Sequence, residues 1–288
     1  MLMNMEKILS AANENCFAIP AFNTPTSMIL RGLIEAGEEA DAPMIIEIHP
    51  DELEFAGESF LKSVIEEAHK THIPVCIHMD HGSRKDQIVK AIRCGYTSVM
   101  IDASSRPFEE NVSICREVCE LAHAVGVSVE GELGTIGTTN QDIESTTSTE
   151  IRYTDPEAAK RFVEESGVDT LAVAIGTCHG IYPEGRQPKL ELKRLREIKE
   201  KVGIPLVLHG GSANRDEEIA EASRMGINKI NISSDVKDAF YQKCREVLQN
   251  PYLREPEDIY MPCIAQMKKV ALHKFELLGT AGKAKLYK

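Results

Sequence analysis

Short β-rich runs alternate along the chain with longer stretches whose apolar positions recur at helical spacing. The runs are Phe17–Asn23, Pro43–His49, Pro74–Asp80, Ser98–Asp102, Val127–Leu133, Thr170–Gly176, Pro205–His209 and Asn228–Ile232. The first, third, sixth and seventh stay apolar almost to their last residues, as strands do when both faces are covered in a parallel sheet. The stretches between them, Ser27–Ala40, Ser59–Lys70, Lys85–Arg93, Phe108–Val125, Pro156–Ser166, Leu190–Lys201 and Glu217–Met225, predict amphipathic helices. Thr154-Asp155-Pro156-Glu157 reads as a cap with proline in the first turn. Gly95, Gly126, Gly167, Gly203 and Gly226 are placed to close helices in left-handed caps. Eight strands alternating with helices predict an α/β protein, a single (β/α)8 TIM barrel over residues 1–288. Additional C-terminal helices are expected at Asp235–Leu248 and Cys263–Leu278. An open doubly wound sheet is the alternative. No linker interrupts the pattern. One segment departs from it: Gly134 to Arg152 is long, polar and rich in Ser and Thr, and is expected to form a lid at the barrel mouth.

Catalytic groups in such barrels project from the C-terminal strand ends, and here those ends are polar. They read His78-Met79-Asp80-His81-Gly82, Asp102-Ala103-Ser104, Glu130-Gly131-Glu132, Thr177-Cys178-His179-Gly180, His209-Gly210-Gly211-Ser212 and Asn231-Ile232-Ser233-Ser234. His81, His179 and His209 thus stand at three strand ends on one rim. Three neutral imidazoles with a fourth position left open suit a catalytic Zn²⁺. Three unrelated hydrogen-bonded histidines would be the bland reading. His49 also ends a strand, as a decoy or a substrate contact, and His78 is expected to be structural. Gly210-Gly211-Ser212 and Asn231–Ser234 follow the seventh and eighth strands, where barrels often bind phosphate through backbone N–H groups and hydroxyls.

Composition narrows the partners. The formal net charge of −12 disfavours nucleic acid and acidic membranes, and means that a phosphorylated substrate needs a compact positive site. No apolar run approaches the roughly 20 residues of a membrane span, and Met1 to Ser10 lacks a signal-peptide pattern. A cytoplasmic location is expected. The eight cysteines form no CxxC pair, so buried thiols in a reducing compartment are expected, although the Cys115/Cys119 spacing would also allow a metal pair.

The chain resembles the class II, metal-dependent ketose-bisphosphate aldolases, which include fructose- and tagatose-bisphosphate aldolases. The resemblance runs through Ala21-Phe22-Asn23, His78-Met79-Asp80-His81-Gly82, Pro107-Phe108-Glu109-Glu110-Asn111, Glu130-Gly131-Glu132-Leu133-Gly134 and Tyr153-Thr154-Asp155-Pro156. It continues through Leu171–Thr177, His179-Gly180, Leu208–Ser212, Lys229–Ile232 and His273–Gly279. It implies Asp80 as the proton-transfer residue and His81, His179 and His209 as zinc ligands, with Glu132 near an alternative metal position. Asn23, Gly180, Gly210, Gly211, Ser212, Asn231, Ile232, Ser233 and Ser234 would hold dihydroxyacetone phosphate. A monovalent cation, Na⁺ or K⁺, is a second candidate ion, and a homodimer or homotetramer is the expected assembly.

A Schiff-base aldolase would instead need a lysine at a strand end. Lys229 lies before the tip of the eighth strand and Lys85 beyond the third, so neither reads as well placed. A metal-dependent hydrolase would bring a His-x-His in the first strand, and a non-catalytic sensor would have lost Asp80 or ligands; neither pattern is present. The expected reaction is cleavage of fructose 1,6-bisphosphate to dihydroxyacetone phosphate and glyceraldehyde 3-phosphate. A tagatose bisphosphate, or another aldehyde acceptor, is the alternative. Three departures from the family bear on that choice. Glu47 and His49 stand where small residues are usual, Ala103 replaces a glycine, and Thr138-Thr139-Asn140 replaces an acidic pair. The loop base then falls to Asp142 or Glu144. Arg106, Arg152 and Arg254 are candidates for the second phosphate.

Overall fold

The computed structural model describes residues 1–138, 151–179, 189–212 and 214–287. Eight parallel strands close on themselves: β1 Ile19–Asn23, β2 Met44–Glu47, β3 Val75–Gly82, β4 Ser98–Ile101, β5 Ser128–Leu133, β6 Thr170–Val173, β7 Leu206–Leu208 and β8 Ile227–Ile232. Each pairs with its sequence neighbour, and β8 pairs with β1 through Lys229↔Ile19 to Ile232↔Phe22. The closed barrel replaces the open-sheet alternative.

β2, β3 and β7 each begin one residue after a proline, at Met44, Val75 and Leu206, because proline has no N–H to give the ladder. β6 stops at Val173, short of the predicted Gly176, and β4 stops at Ile101, where the chain turns out into the rim loops.

Helices surround the barrel and bury their apolar faces on the outward residues of the strands, such as Ile46, Ile77, Val99, Val129, Leu171 and Ile230. Two helices escaped the sequence pattern. Met5–Glu14 closes the N-terminal end of the barrel, packing Met5, Ile8, Leu9 and Ala12 on Ile19, Ala21, Ile45 and Cys76. Pro50–Ala56 is short and follows β2 directly. The last long helix starts at Pro256, before Pro262, which would ordinarily break a helix interior. Tertiary packing overrides that tendency: Tyr260, in the turn before Pro262, stacks on Phe240 at a centroid distance of 6.3 Å.

Four of the five predicted glycine caps have positive φ. Gly203 does not; its helix ends at Lys201 on an extended Val202. Asp155 caps Pro156–Ser166 as predicted, its side chain accepting the Ala158 N–H at 2.9 Å. Asp155→Ala is therefore expected to cost about 1 kcal/mol of stability, measured as a lower urea midpoint with an unchanged slope. Among the described residues, no helix is long and apolar enough to cross a membrane. Cys115 and Cys119 are buried thiols whose pKa values burial pushes up, that of Cys119 to about 12, and no metal cluster among the described residues includes them.

Candidate active site

Period-2 alternation would send Asp80 and His81 to opposite faces of β3. A bulge prevents this. The register with β4 slips between Met79↔Val99 and Gly82↔Ile101, and His81 takes a left-handed φ of 48°. Both side chains consequently face the C-terminal mouth, with His81 Nε2 3.9 Å from Asp80 Oδ1. Gly82 is required for this turn, since a Cβ there would lie 2.7 Å from the Met100 carbonyl oxygen. Backbone held in such a conformation costs on the order of 1–3 kcal/mol and is typical of functional sites.

His209 follows β7 and meets His81 across the barrel. Its Nδ1 lies 3.0 Å from His81 Nε2. The outer nitrogen of each ring faces a carboxylate: His209 Nε2 lies 2.9 Å from Glu130 Oε1, and His81 Nδ1 lies 3.2 Å from Asp102 Oδ2. When both outer nitrogens donate to those carboxylates, both inner nitrogens present lone pairs to the same point. Such an arrangement needs a cation between the rings, and carboxylate–histidine pairs of this kind orient metal-binding imidazoles. Glu132 Oε2 is 3.7 Å from His209 Nδ1, and two sets able to hold a metal overlap here: Asp80, His81 and His209, and His81, Asp102 and Glu132. The donor set of imidazole and carboxylate fits a zinc-like ion.

Electrostatics separate the groups. Burial alone would raise the pKa of Asp80, but His81, His209 and Lys229 outweigh it and hold the carboxyl well below its usual range. Asn23 and Asn231 each donate a side-chain N–H to it at 3.2 Å, one to each oxygen. Asp80 is thus a fixed, ionised carboxylate. Burial brings the pKa of His209 down to about 4 and that of His78 to about 3, so both are neutral. For His81, burial is outweighed by Asp80 and Asp102, and its affinity for a proton is raised; without metal, a proton is the cation at that point. Glu132 is shifted upward by burial and by Asp102.

The two segments expected to hold phosphate adjoin one another. Gly211 N–H donates to the Asn231 carbonyl at 3.0 Å, and Asp235 N–H donates to Ser212 Oγ at 3.4 Å. A Cβ on Gly211 would sit 2.4 Å from Ile230 Cγ2, so only glycine allows the approach. Ser233 Oγ is buried without a hydrogen-bond partner at the start of helix Ser234–Val247, a site suited to an anion. Ile232 contributes backbone only, since its side chain lies in the outer core.

The structure thus brings together Asp80, His81, His209, Glu132, Asn23 and Asn231, with Gly210, Gly211, Ser212 and Ser233 on the neighbouring loops and Ser234 at the start of the helix that follows. The side chain of His179, all of Gly180, and both loop-base candidates, Asp142 and Glu144, lie outside the described residues. So does most of the expected lid. Its flanks are tied down, with Gly137–Thr138 pairing parallel to Cys178–His179 and Thr135 bridging to Arg152.

A model of the class-II fructose-bisphosphate aldolases matches residues 3–283. The chain belongs to that family. A fructose-bisphosphate aldolase of Thermus caldophilus is 37% identical over 306 residues, covering 99% of this chain and 100% of that protein. One from Giardia intestinalis is 36% identical over 313 residues, covering 100% and 96%. Among solved structures, the YdjI aldolase of Escherichia coli is similar at a TM-score of 0.87 and 34% identity, covering 99% of this chain and 100% of that one. A fructose-bisphosphate aldolase of Campylobacter jejuni gives 0.80 at 26%, covering 98% and 97%. The chain is accordingly a lyase of the aldolase type.

Several sequence expectations for this aldolase change with the structure. Lys229 points into the barrel below the tip of β8, because residues 229 and 231 share the inner face of that strand. Burial would lower its pKa, but Glu130 and Glu47 outweigh that and raise it, so its ammonium is held between two carboxyl groups. His49 is a structural decoy: its Nδ1 accepts the Asp51 N–H and caps Pro50–Ala56, while Glu52 completes the capping box. His78 is structural as expected, bonded through Nδ1 to Ser98 Oγ at 2.8 Å. Arg106 pairs with Glu110 on the surface, and Arg254 donates to the Tyr252 carbonyl. Arg152 joins the Thr135 bridge. The carboxylates that orient the histidines, Asp102 and Glu130, had no assigned role in the sequence, although their place at strand ends was visible.

Proposed function

We propose that this chain, acting as one domain over residues 1–288, is a Zn²⁺-dependent aldolase that reversibly cleaves a ketose bisphosphate, fructose 1,6-bisphosphate, to dihydroxyacetone phosphate and glyceraldehyde 3-phosphate. The observation that carries this reading is the facing pair of ring nitrogens on His81 and His209 beside an ionised Asp80. His81 and His209 would hold the metal, with His179 as the third ligand and Glu132 at an alternative position. When bound, zinc supplies a Lewis acid for the negative charge that cleavage leaves on the dihydroxyacetone phosphate half.

The protein's own groups would do the rest. Asp80 Oδ takes the C4 hydroxyl proton as the C3–C4 bond breaks and the aldehyde C=O forms. The bonding pair passes into the C2 carbonyl, giving an enediolate that takes a proton at C3 from a loop carboxylic acid, Asp142 or Glu144, which is left as its carboxylate. Condensation runs the same steps backwards. Asn23 and Asn231 keep Asp80 aimed, and their side-chain carbonyl oxygens, buried and without partners, are acceptors for substrate hydroxyls. Gly210–Ser212 and Asn231–Ser234, with Gly180, would hold the phosphate.

A monovalent cation, a homodimer or homotetramer, and a cytoplasmic location complete the proposal, the last in keeping with eight free cysteines. A panel of aldehydes offered with dihydroxyacetone phosphate, read as product sugar and its stereochemistry, tests it. Glyceraldehyde 3-phosphate should give the highest kcat/KM and fructose 1,6-bisphosphate as product. Faster turnover of another aldehyde, or a tagatose product, would replace this substrate with the corresponding alternative.

A further inference from the structure

The interior of a (β/α)8 barrel is ordinarily filled by layers of branched apolar side chains. In this chain the layer below the site is charged. Glu47 on β2, His78 on β3, Glu130 on β5 and Lys229 on β8 are all fully buried. Lys229 Nζ lies 2.7 Å from Glu47 Oε1, and 3.0 and 3.2 Å from the two oxygens of Glu130.

Stability does not account for such a layer. A buried ion cluster pays heavily in desolvation, and a well-packed apolar set is often at least as stable. The cluster does have a direct link to the site. Glu130 Oε1, held by Lys229, is the oxygen that receives His209 Nε2 at 2.9 Å, and the opposite nitrogen of that ring faces His81. His78 Nε2, 3.5 Å from Glu130 Oε2, closes the remaining side.

We infer that Lys229, suspended between Glu47 and Glu130, is a positioning residue for the metal site. It fixes the Glu130 carboxylate in the orientation that takes the Nε2–H of His209 and leaves the Nδ1 lone pair directed at the metal position. Glu47 Oε1, 2.7 Å from Lys229 Nζ, holds that nitrogen toward β2. The inference rests on the metal-site reading above. It adds that the site's affinity is set one layer below the ligands.

The test uses the full chain stripped of metal and titrated with Co²⁺, a visible-absorbing substitute for zinc. The parent is compared with Lys229→Gln and Glu47→Gln. The expected result for Lys229→Gln is Co²⁺ affinity weakened by about 10–100-fold, the range typical for loss of a group behind a ligand. Its visible band should shift, and kcat should fall more than KM changes. Glu47→Gln should move the same three readouts in the same direction by a smaller factor. A folded Lys229→Gln protein with Co²⁺ affinity and band within about twofold of the parent overturns the inference while leaving the metal site standing. If Lys229→Gln does not fold, Glu47→Gln decides alone, and parental affinity and spectrum in it have the same overturning force. A parent that takes up no Co²⁺ at all removes the metal-site reading together with the inference.

Discussion

Asp80→Ala is expected to lower turnover of fructose 1,6-bisphosphate by about 10²–10⁴-fold, the usual contribution of a positioned proton-transfer group, while the purified protein keeps its zinc. The reasoning is geometric. Asp80 lies beside the ring nitrogens of His81 and His209, 3.9 Å from the nearer one, and both of its oxygens are engaged by Asn23 and Asn231. In the proposed mechanism, removing it takes away the acceptor for the C4 proton and leaves the two rings and their carboxylates in place. Metal analysis and steady-state kinetics on the same preparation check this. A second readout sharpens the assignment: in the proposed mechanism, exchange of the C3 hydrogen of dihydroxyacetone phosphate with solvent is assigned to a different group from Asp80, so it should persist in the variant. Turnover within tenfold of the parent, or loss of metal along with activity, would remove Asp80 from the proton-transfer role.

Much of the barrel was legible because its elements obey simple periodicities. All eight strands and, apart from Pro50–Ala56, the helices between them follow from apolar runs and from punctuation such as Asp155-Pro156 and Gly95. What escaped the pattern did so for physical reasons. Met5–Glu14 is amphipathic, but its apolar face seals the barrel floor, a surface that exists only after closure. Pro50–Ala56 is held by His49, an unusual cap. The site was legible as a set of polar strand ends, and the histidines at 81 and 209 do converge. The bulge that turns His81 onto the same side as Asp80 was not, since strict alternation predicts the opposite. Nor was Lys229 read as an interior group. Applying period 2 backwards from Asn231, Glu132 and Asp80 places Lys229, Glu130 and His78 on the inner face, a signal available in the sequence alone. Their ion pairing depends on the cross-barrel arrangement, which strand register and closure determine.

His209→Ala should abolish both metal binding and turnover, and here the two losses are expected together. The ring supplies one of two nitrogens that face each other at 3.0 Å, and its other nitrogen ties the site to Glu130. Truncation removes a ligand and leaves the Glu130 carboxylate fully buried with Lys229 and without its imidazole. Loss of a group merely behind a ligand typically costs 10–100-fold in metal affinity, so loss of a ligand should cost more. Zinc content after gel filtration should fall below about a tenth of the parental value on that scale, and cleavage should drop to background. His72→Ala, a surface histidine beside Asp41, serves as the control and should retain both. The combined outcome separates His209 from Asp80, because one variant fails for want of metal and the other fails with the metal in place. Parental zinc content in His209→Ala would dissociate the facing nitrogens from metal binding. The pair would then be a hydrogen-bonded dyad, and the charge on the enediolate would need a source of stabilisation other than a metal held between these two rings.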